Sequence, residues 1–444
     1  MTTQIFQAST LYGMATLAAA LDSGAFHPSD RRILLVCNNA ATPETTPGPD
    51  EMPGFERLRD RFDEVISYNE TIFPFHPGGW APRQDDFPLW ERFLRLEWRL
   101  GDEEVEFAVE SIQVNPSLAL TQIFTGAPVT VYADGLMSYG PTRNKIDPLV
   151  GTRVDRLLHL DLVPGLAPLL LTEFDVPAEL VPTAAFTKVL AELTGSGEGL
   201  PDVEEPALLL GQYLSSLGIL TPNEEEDLHV RMLKGAVALG HDRVVFKPHP
   251  TAPARYARTL EQEAEKLGAE LTVLDSPVLA EVLYQRMRPA LVVGCFSTAL
   301  LTASALYGLP TARVGTELLL DRLTPFENSN RIPVTVVDAL LPEVTDRAAV
   351  TERRGGMEVG ELGALVRAVG FAMQPKIYPS LRSETEAFLA RRLKPQTLRY
   401  FKRRRLTSLA LPGGVPSQLA FLPRNATVRR MARKAKSLRK VTRR

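Results

Sequence analysis

DRVVFKPHP (242–250) is the stretch on which the fold turns. The apolar run VVF has a charged residue on each side and does not alternate with polar residues. It therefore reads as a strand covered on both faces. Pro248 and Pro250 then fix φ on either side of His249 and hold Lys247 and His249 extended. The strand runs into a stiff loop that projects His249 from its carboxyl end. Upstream lie ALLLGQYL (207–214), a strand, and EEEDLHVRMLKGAVAL (224–239), a helix with acids at its start. Downstream come ARTLEQEAEKLG (257–268), a helix stopped by Gly268, and the strands ELTVLD (270–275), ALVVGC (290–295) and IPVTVVD (332–338), with the helix LTASALYG (301–308) among them. Strands alternating with helices predict parallel βαβ units.

The first half repeats the pattern. QIFQAS (4–9), RRILLVCNN (31–39), VEFAVESI (105–112), PVTVYADG (128–135) and RVDRLLHLDL (153–162) read as strands, and LYGMATLAAALDSG (11–24) reads as a helix ending at Gly24. FPFHPGGWAPRQDDFP (73–88) is rich in Pro and Gly and reads as a loop. TGSGEGLPDVEEP (194–206) reads as a linker. The expected fold is α/β: two Rossmann-like, doubly wound domains facing across a cleft, with a basic helical C-terminal tail. The expected units are 1–193, 207–375 and 376–444. Ligands of such sheets sit beyond the carboxyl ends of the strands.

Composition narrows the class. The chain has 444 residues, 44% hydrophobic and 23% charged, as ordinary globular proteins do. Cys37 and Cys295 lie far apart in apolar runs, which argues against a disulfide framework or a zinc site and fits a reducing compartment. The N-terminus lacks the pattern of a signal peptide, and no run of ~18 apolar residues occurs, so the expected location is cytoplasmic. The net charge of −3 hides an asymmetry: residues 391–444 hold 18 Lys or Arg and no acid, leaving 32 basic against 53 acidic residues elsewhere. A basic tail on an acidic body points to a polyanionic partner.

The strand ends carry the candidate chemistry. His249 can donate to a phosphate or protonate a leaving group, and read alone it equally suits a surface turn. Ser297 and Thr298, in CFSTAL (295–300), sit where a helix should begin, a natural phosphate site as well as an ordinary N-cap. Asp134, before Gly135, suits a general base on an acceptor hydroxyl, though Asp-Gly alone is commonly a turn. In STLYG (9–13), the small or hydroxylated Ser9, Thr10 and Gly13 allow a substrate close to the backbone, without a dinucleotide fingerprint.

Asp134–Gly135, His249–Pro250 and Ser297–Thr298 together resemble the acidic-acidic-Gly, HP and Ser/Thr motifs of bacterial sialyltransferases. With VYADGLMSYGPTRN, KPHP and LDSPVLAEVL, the chain resembles the bacterial α-2,8-polysialyltransferases in particular, over about residues 1–340. The resemblance implies a GT-B fold, an inverting, metal-independent transfer from CMP-sialic acid or a related CMP-nonulosonate as donor substrate, and no cofactor. It implies a glycan acceptor and a product in cell-surface polysaccharide. By it Asp134 deprotonates the acceptor. His249, with Lys247 and Pro250, binds or protonates the departing phosphate, which Ser297 and Thr298 hold. Ser276 and Glu281 face the nucleoside, though SPVLAE reads equally well as a helix start with a favourable acid in its first turns. One departure stands out: Ala133 occupies the first acidic position of the motif.

Residues 399–444 supply the basic tail. Within it NATVRRMARKAKSLRKVTRR (425–444) repeats apolar residues at helical spacing, suited to an anionic membrane surface. Peripheral attachment at the inner face of the cell membrane is therefore expected. Nucleic acid is not, since interleaved aromatics are missing and the body is acidic. Two rival readings remain: a GT-B transferase or epimerase using a UDP- or GDP-sugar, and a catalytically inactive sugar-nucleotide-binding protein of cell-envelope assembly.

Overall fold

The computed structural model describes residues 1–196, 200–249, 252–274 and 276–415. Two all-parallel sheets organise them. The first contains β1 (Thr2–Ala8), β2 (Arg31–Val36), β3 (Glu64–Ser67), β4 (Glu104–Glu110), β5 (Val129–Ala133), β6 (Val154–His159) and β7 (Ala178–Leu180), in the order β3-β2-β1-β4-β5-β6-β7. The second contains β8 (Ala207–Leu210), β9 (Arg243–Lys247), β10 (Glu270–Val273), β11 (Leu291–Gly294) and β12 (Thr311–Arg313), in the order β10-β9-β8-β11-β12. Both orders reverse beside the first strand, at β1/β4 and at β8/β11. Loops diverge there and leave a crevice for ligand. β3 (EVIS), β7 (AEL) and β12 (TAR) contain no apolar run longer than two residues and so carry no sequence signal of their own.

The helices follow their local chemistry. Thr10 caps the helix Leu11–Asp22, and Gly24 leaves it with a positive φ of 76°. Thr221 and Glu224 form a capping box for Pro222–Ala238. Gly268, at φ 69°, ends Ala254–Leu267. One large apolar core is continuous from the β1 helix to the second sheet, and a second core fills the opposite face of the first sheet.

The predicted strand IPVTVVD (332–338) is instead part of the helix Arg331–Leu340. Its apolar residues are buried all round, so the run has no periodicity to separate strand from helix. Tertiary contacts decide. The Arg331 guanidinium donates to the carbonyls of Phe326 and Leu323 at 2.8 and 2.9 Å, and the Thr335 hydroxyl donates back to Arg331 O at 2.7 Å.

The chain then returns to the first sheet. The Tyr378 hydroxyl accepts from Thr142 N–H at 2.9 Å and donates to Glu173 at 2.6 Å. The described part of the basic C-terminal region is anchored to the body. Arg399 pairs with Asp338, Lys402 with Asp321 and Arg405 with Glu327, while Arg403 and Arg404 are exposed. The predicted amphipathic helix at 425–444 lies outside the described residues. Among the described residues no helix is long and apolar enough to cross a membrane.

Candidate active site

The first switch point gathers two acids. The register pairs Glu110, the last residue of β4, with Tyr132 of β5, and Asp134 follows two residues later. Ser9, leaving β1, spans the crevice: its N–H and hydroxyl donate to Glu110 at 3.0 and 2.6 Å. The Thr10 side chain bonds to Asp134 and also accepts from Gly13 N–H at 2.9 Å. Gly13 is required for this fit. A Cβ there would stand 3.0 Å from Tyr132 Oη, 3.1 Å from Thr10 Oγ1 and 3.5 Å from Asp134 Oδ2.

Burial first, and the Glu110 charge second, push the Asp134 carboxyl up to about 7. Burial also raises Glu110, against its bonds from Ser9. Two carboxyls sunk in one crevice resist double ionisation, which leaves Asp134 able to take up a proton near neutral pH.

The second switch point lies opposite. β9 delivers Lys247 and His249, β11 delivers Ser297 and Thr298, and the β8 loop lies between them. Tyr213 of that loop stacks on His249, ring centroids 4.1 Å apart, and Gln212 accepts from Phe296 N–H at 3.4 Å. Gly211 permits the approach, since a Cβ would stand 3.1 Å from Pro248 Cα. Glu225 fastens the loop by accepting from Leu214 N–H, Ser215 N–H and Ser215 Oγ at 2.7, 2.9 and 2.6 Å.

Burial, then Lys247, lowers His249 to about 4, so its imidazole is neutral at pH 7. Burial lowers Lys247 as well, opposed by Glu281. Glu281 is itself raised by burial, opposed by its Thr302 bond and by Lys247. Ser297 caps the helix Thr298–Ala305, accepting from Ala299 N–H at 3.2 Å.

The two halves touch. A Cβ on Gly135 would stand 3.1 Å from Thr298 Oγ1, so the Asp134–Gly135 turn lies against the start of the β11 helix. Tyr12 Oη and Thr302 Oγ1 meet at 3.4 Å nearby. A cavity of about 380 Å³ opens at this junction, lined by Glu110, Asp134, Arg143, Tyr213, Ser297 and Thr298 among others.

The structure thus brings Asp134, Ser297 and Thr298 to one cavity and sets His249 behind Tyr213 at its edge. Ser9, Thr10 and Gly13 stand behind the acids rather than in the cavity. Glu281 is buried and Lys247 half-buried, near enough that each influences the other's proton affinity, and neither lines the cavity. Ser276 is half-buried past β10 and does not line the cavity, and Pro250 lies outside the described residues. Sequence reasoning missed Glu110, Arg143, Gln212, Tyr213 and Glu225. Applying the strand-end rule to VEFAVESI finds Glu110, and applying it to ALLLGQYL finds Gln212 and Tyr213. Glu225 sits inside an acidic run that reads only as a helix start.

The family described as alpha-2,8-polysialyltransferase matches residues 4–316, a span that holds every strand but the first two residues of β1 and every one of these strand ends. No curated protein matches the chain. Among solved structures, the chain is similar to the GT-B domain of a sialyltransferase from Photobacterium damselae, at 12% identity and TM-score 0.38, covering 76% of this chain and 96% of that one. It is also similar to a UDP-GlcNAc 2-epimerase from Methanocaldococcus jannaschii, at 12% identity and TM-score 0.43, covering 79% and 91%. MurG from Acinetobacter baumannii is similar at 9% identity and TM-score 0.39, covering 87% and 94%. At these scores the case for a GT-B plan is made by the two sheets and their paired switch points.

Proposed function

The chain belongs to the alpha-2,8-polysialyltransferase family and is a sialyltransferase-like glycosyltransferase, and from that premise we propose that it transfers sialic acid or a related nonulosonic acid from a CMP-activated donor to a glycan hydroxyl. Transfer inverts the anomeric centre and uses no metal. The product enters a cell-surface polysaccharide, and the enzyme works in the cytoplasm at the inner membrane face, attached through residues 399–444. The supporting observation is the contact of the Asp134–Gly135 turn with Thr298, which sets a base with a raised pKa against a helix start suited to phosphate.

In this reading Asp134 accepts the proton of the acceptor hydroxyl. The acceptor oxygen forms a bond to the anomeric carbon as the bond to the phosphate oxygen breaks on the opposite side. CMP departs as a phosphate monoester. Ser297, Thr298 and the N–H groups of their helix hold its oxygens, where donors aimed at developing charge count most. His249 enters neutral and donates one N–H to the phosphate. The bound anion then favours a second proton on the ring. Lys247 adds charge.

The test is release of CMP from CMP-sialic acid, in EDTA, with a glycan acceptor. The expected result is turnover by the wild type and at least ~10²-fold less by His249→Ala. Turnover of UDP- or GDP-sugars alone, or wild-type rates in His249→Ala, refutes the reading.

A further inference from the structure

One cation in the cavity has no part in the chemistry above. The charged residues among those lining the cavity are Glu110, Asp134 and Arg143. The two acids are accounted for; Arg143 is not. Its backbone is fixed from both sides, its N–H donating to the Gln113 side chain and its carbonyl accepting from Gln374. The side chain reaches Met137 Sδ, a soft, weak acceptor that lines the same cavity. No carboxylate of the described residues pairs with it, and burial is the sole influence on its proton affinity, pushing it down. Ala133, which lines the same cavity, stands where the resemblance puts an acid, so that position supplies no counter-charge either.

Arg143 is half-buried, so its guanidinium keeps part of its hydration, and it gains most where a ligand supplies the counter-charge that the cavity lacks. The planar fork of Arg fits a carboxylate with two parallel hydrogen bonds. In the reading above phosphate has its own donors, Ser297 and Thr298 at the start of the β11 helix, which line the same cavity. Nonulosonic acids differ from ordinary hexoses in carrying a carboxylate on the anomeric carbon. We propose that Arg143 is the carboxylate-binding residue of this site, and that it makes the cavity selective for acidic sugars. The inference rests on the CMP-donor reading. The carboxylate belongs either to the donor sugar or to a sialylated acceptor, and the two are separable.

The experiment measures affinities by calorimetry on the full chain, wild type and Arg143→Gln. The probes are CMP, CMP-3-fluorosialic acid (whose fluorine blocks transfer), a sialic acid oligomer, and the methyl esters of the last two. The expected result is an unchanged CMP affinity and a ~10- to 100-fold loss for one acidic probe in Arg143→Gln. In the wild type the ester of that probe binds weakly by the same factor, while the variant binds acid and ester alike. Loss confined to the donor analogue identifies the donor carboxylate, and loss confined to the oligomer identifies the acceptor. Wild-type binding that ignores esterification overturns the inference, whether or not the variant folds. So does a variant that loses CMP and donor analogue in parallel, which would make Arg143 a phosphate ligand. A wild type that binds no CMP overturns the donor reading itself.

Discussion

Replacing Glu110 by glutamine should move the acid limb of the pH–rate profile down. Glu110 and Tyr132 are register partners on parallel strands, and Asp134 lies two residues beyond Tyr132, which by strand rise and spacing sets the two acids roughly 8 Å apart. At an effective dielectric constant of ~20–40, two like charges at that distance repel by about 1–2 kcal/mol, about 0.7–1.5 pKa units. The sign follows from which form Asp134 needs. As a base it must be ionised, and burial together with the Glu110 charge holds it at about 7. The glutamine amide keeps an oxygen for the Ser9 N–H and hydroxyl but removes the negative charge, so ionising Asp134 becomes easier. The other groups around Asp134 are Thr10, Tyr12, Tyr132 and Thr298, none charged near neutrality, while Arg143 lines the same cavity. kcat/KM for CMP release, measured from pH 5 to 9, reports the free enzyme's base. Wild type should lose activity below about pH 7, and Glu110→Gln about 1 pH unit lower. Burial remains as the first cause, so the limb should not fall all the way to an ordinary aspartate. An acid limb that stays in place, or rises, in a variant that still binds CMP would refute the coupling.

Two other perturbations test the same geometry. Asp134→Asn should abolish transfer yet raise the melting temperature at pH 8. A carboxyl whose folded pKa is raised costs stability as pH climbs from its unfolded value toward about 7. Its removal should gain on the order of 1–3 kcal/mol at pH 8 and about a third of that at pH 5, where the cost has only begun to accumulate, in thermal melts at both values; a variant less stable at pH 8 would contradict the buried-acid account. Gly135→Ala places a methyl 3.1 Å from Thr298 Oγ1 at an ordinary negative φ. It should leave the melting temperature nearly unchanged while lowering kcat about 10-fold, by shifting the base against the donor half; an unaltered kcat would mean that the contact does not set the reacting distance.

Much of the fold was legible because covered parallel strands announce themselves. ILLV in β2 and VVF in β9 are continuous apolar runs bounded by charge or turn residues, and both are strands. The same property misled at Ile332–Asp338, where a run buried on all sides carries no period. β12 was invisible because Thr311–Arg313 has three residues and owes its pairing to β11. Site residues were legible where a rigid sequence device marks a strand end, as at KPHP or DG. They were hidden where the role depends on a partner distant in sequence. Glu110 gains its significance from Ser9 and Asp134, and Tyr213 from His249. Arg143 is notable for a counter-charge that is missing, which no local pattern encodes.

Ala133 looked like the weak point of the site, and strand alternation changes what it implies. Along β5, Val129 and Val131 belong to the second core, and Ala133 packs against it. Tyr132 belongs to the first core, on the face of the Leu11–Asp22 helix, and Asp134 continues that face beside Thr10 and Gly13. An acid at 133 would project from the other side of the strand, away from Thr10. Along β4, Ala108 lies in the first core while Phe107 and Val109 lie in the second, so Glu110 shares its face with Asp134. A two-residue repeat on neighbouring strands thus puts one carboxyl from each in a single crevice. Under the proposed mechanism the base does not need an acidic neighbour in sequence. It needs a second charge near enough to hold its proton affinity close to neutral pH, and the adjacent strand end provides one. The substitution at 133 then bears less on whether Asp134 can act than on Arg143, which is left to find its counter-charge in the substrate.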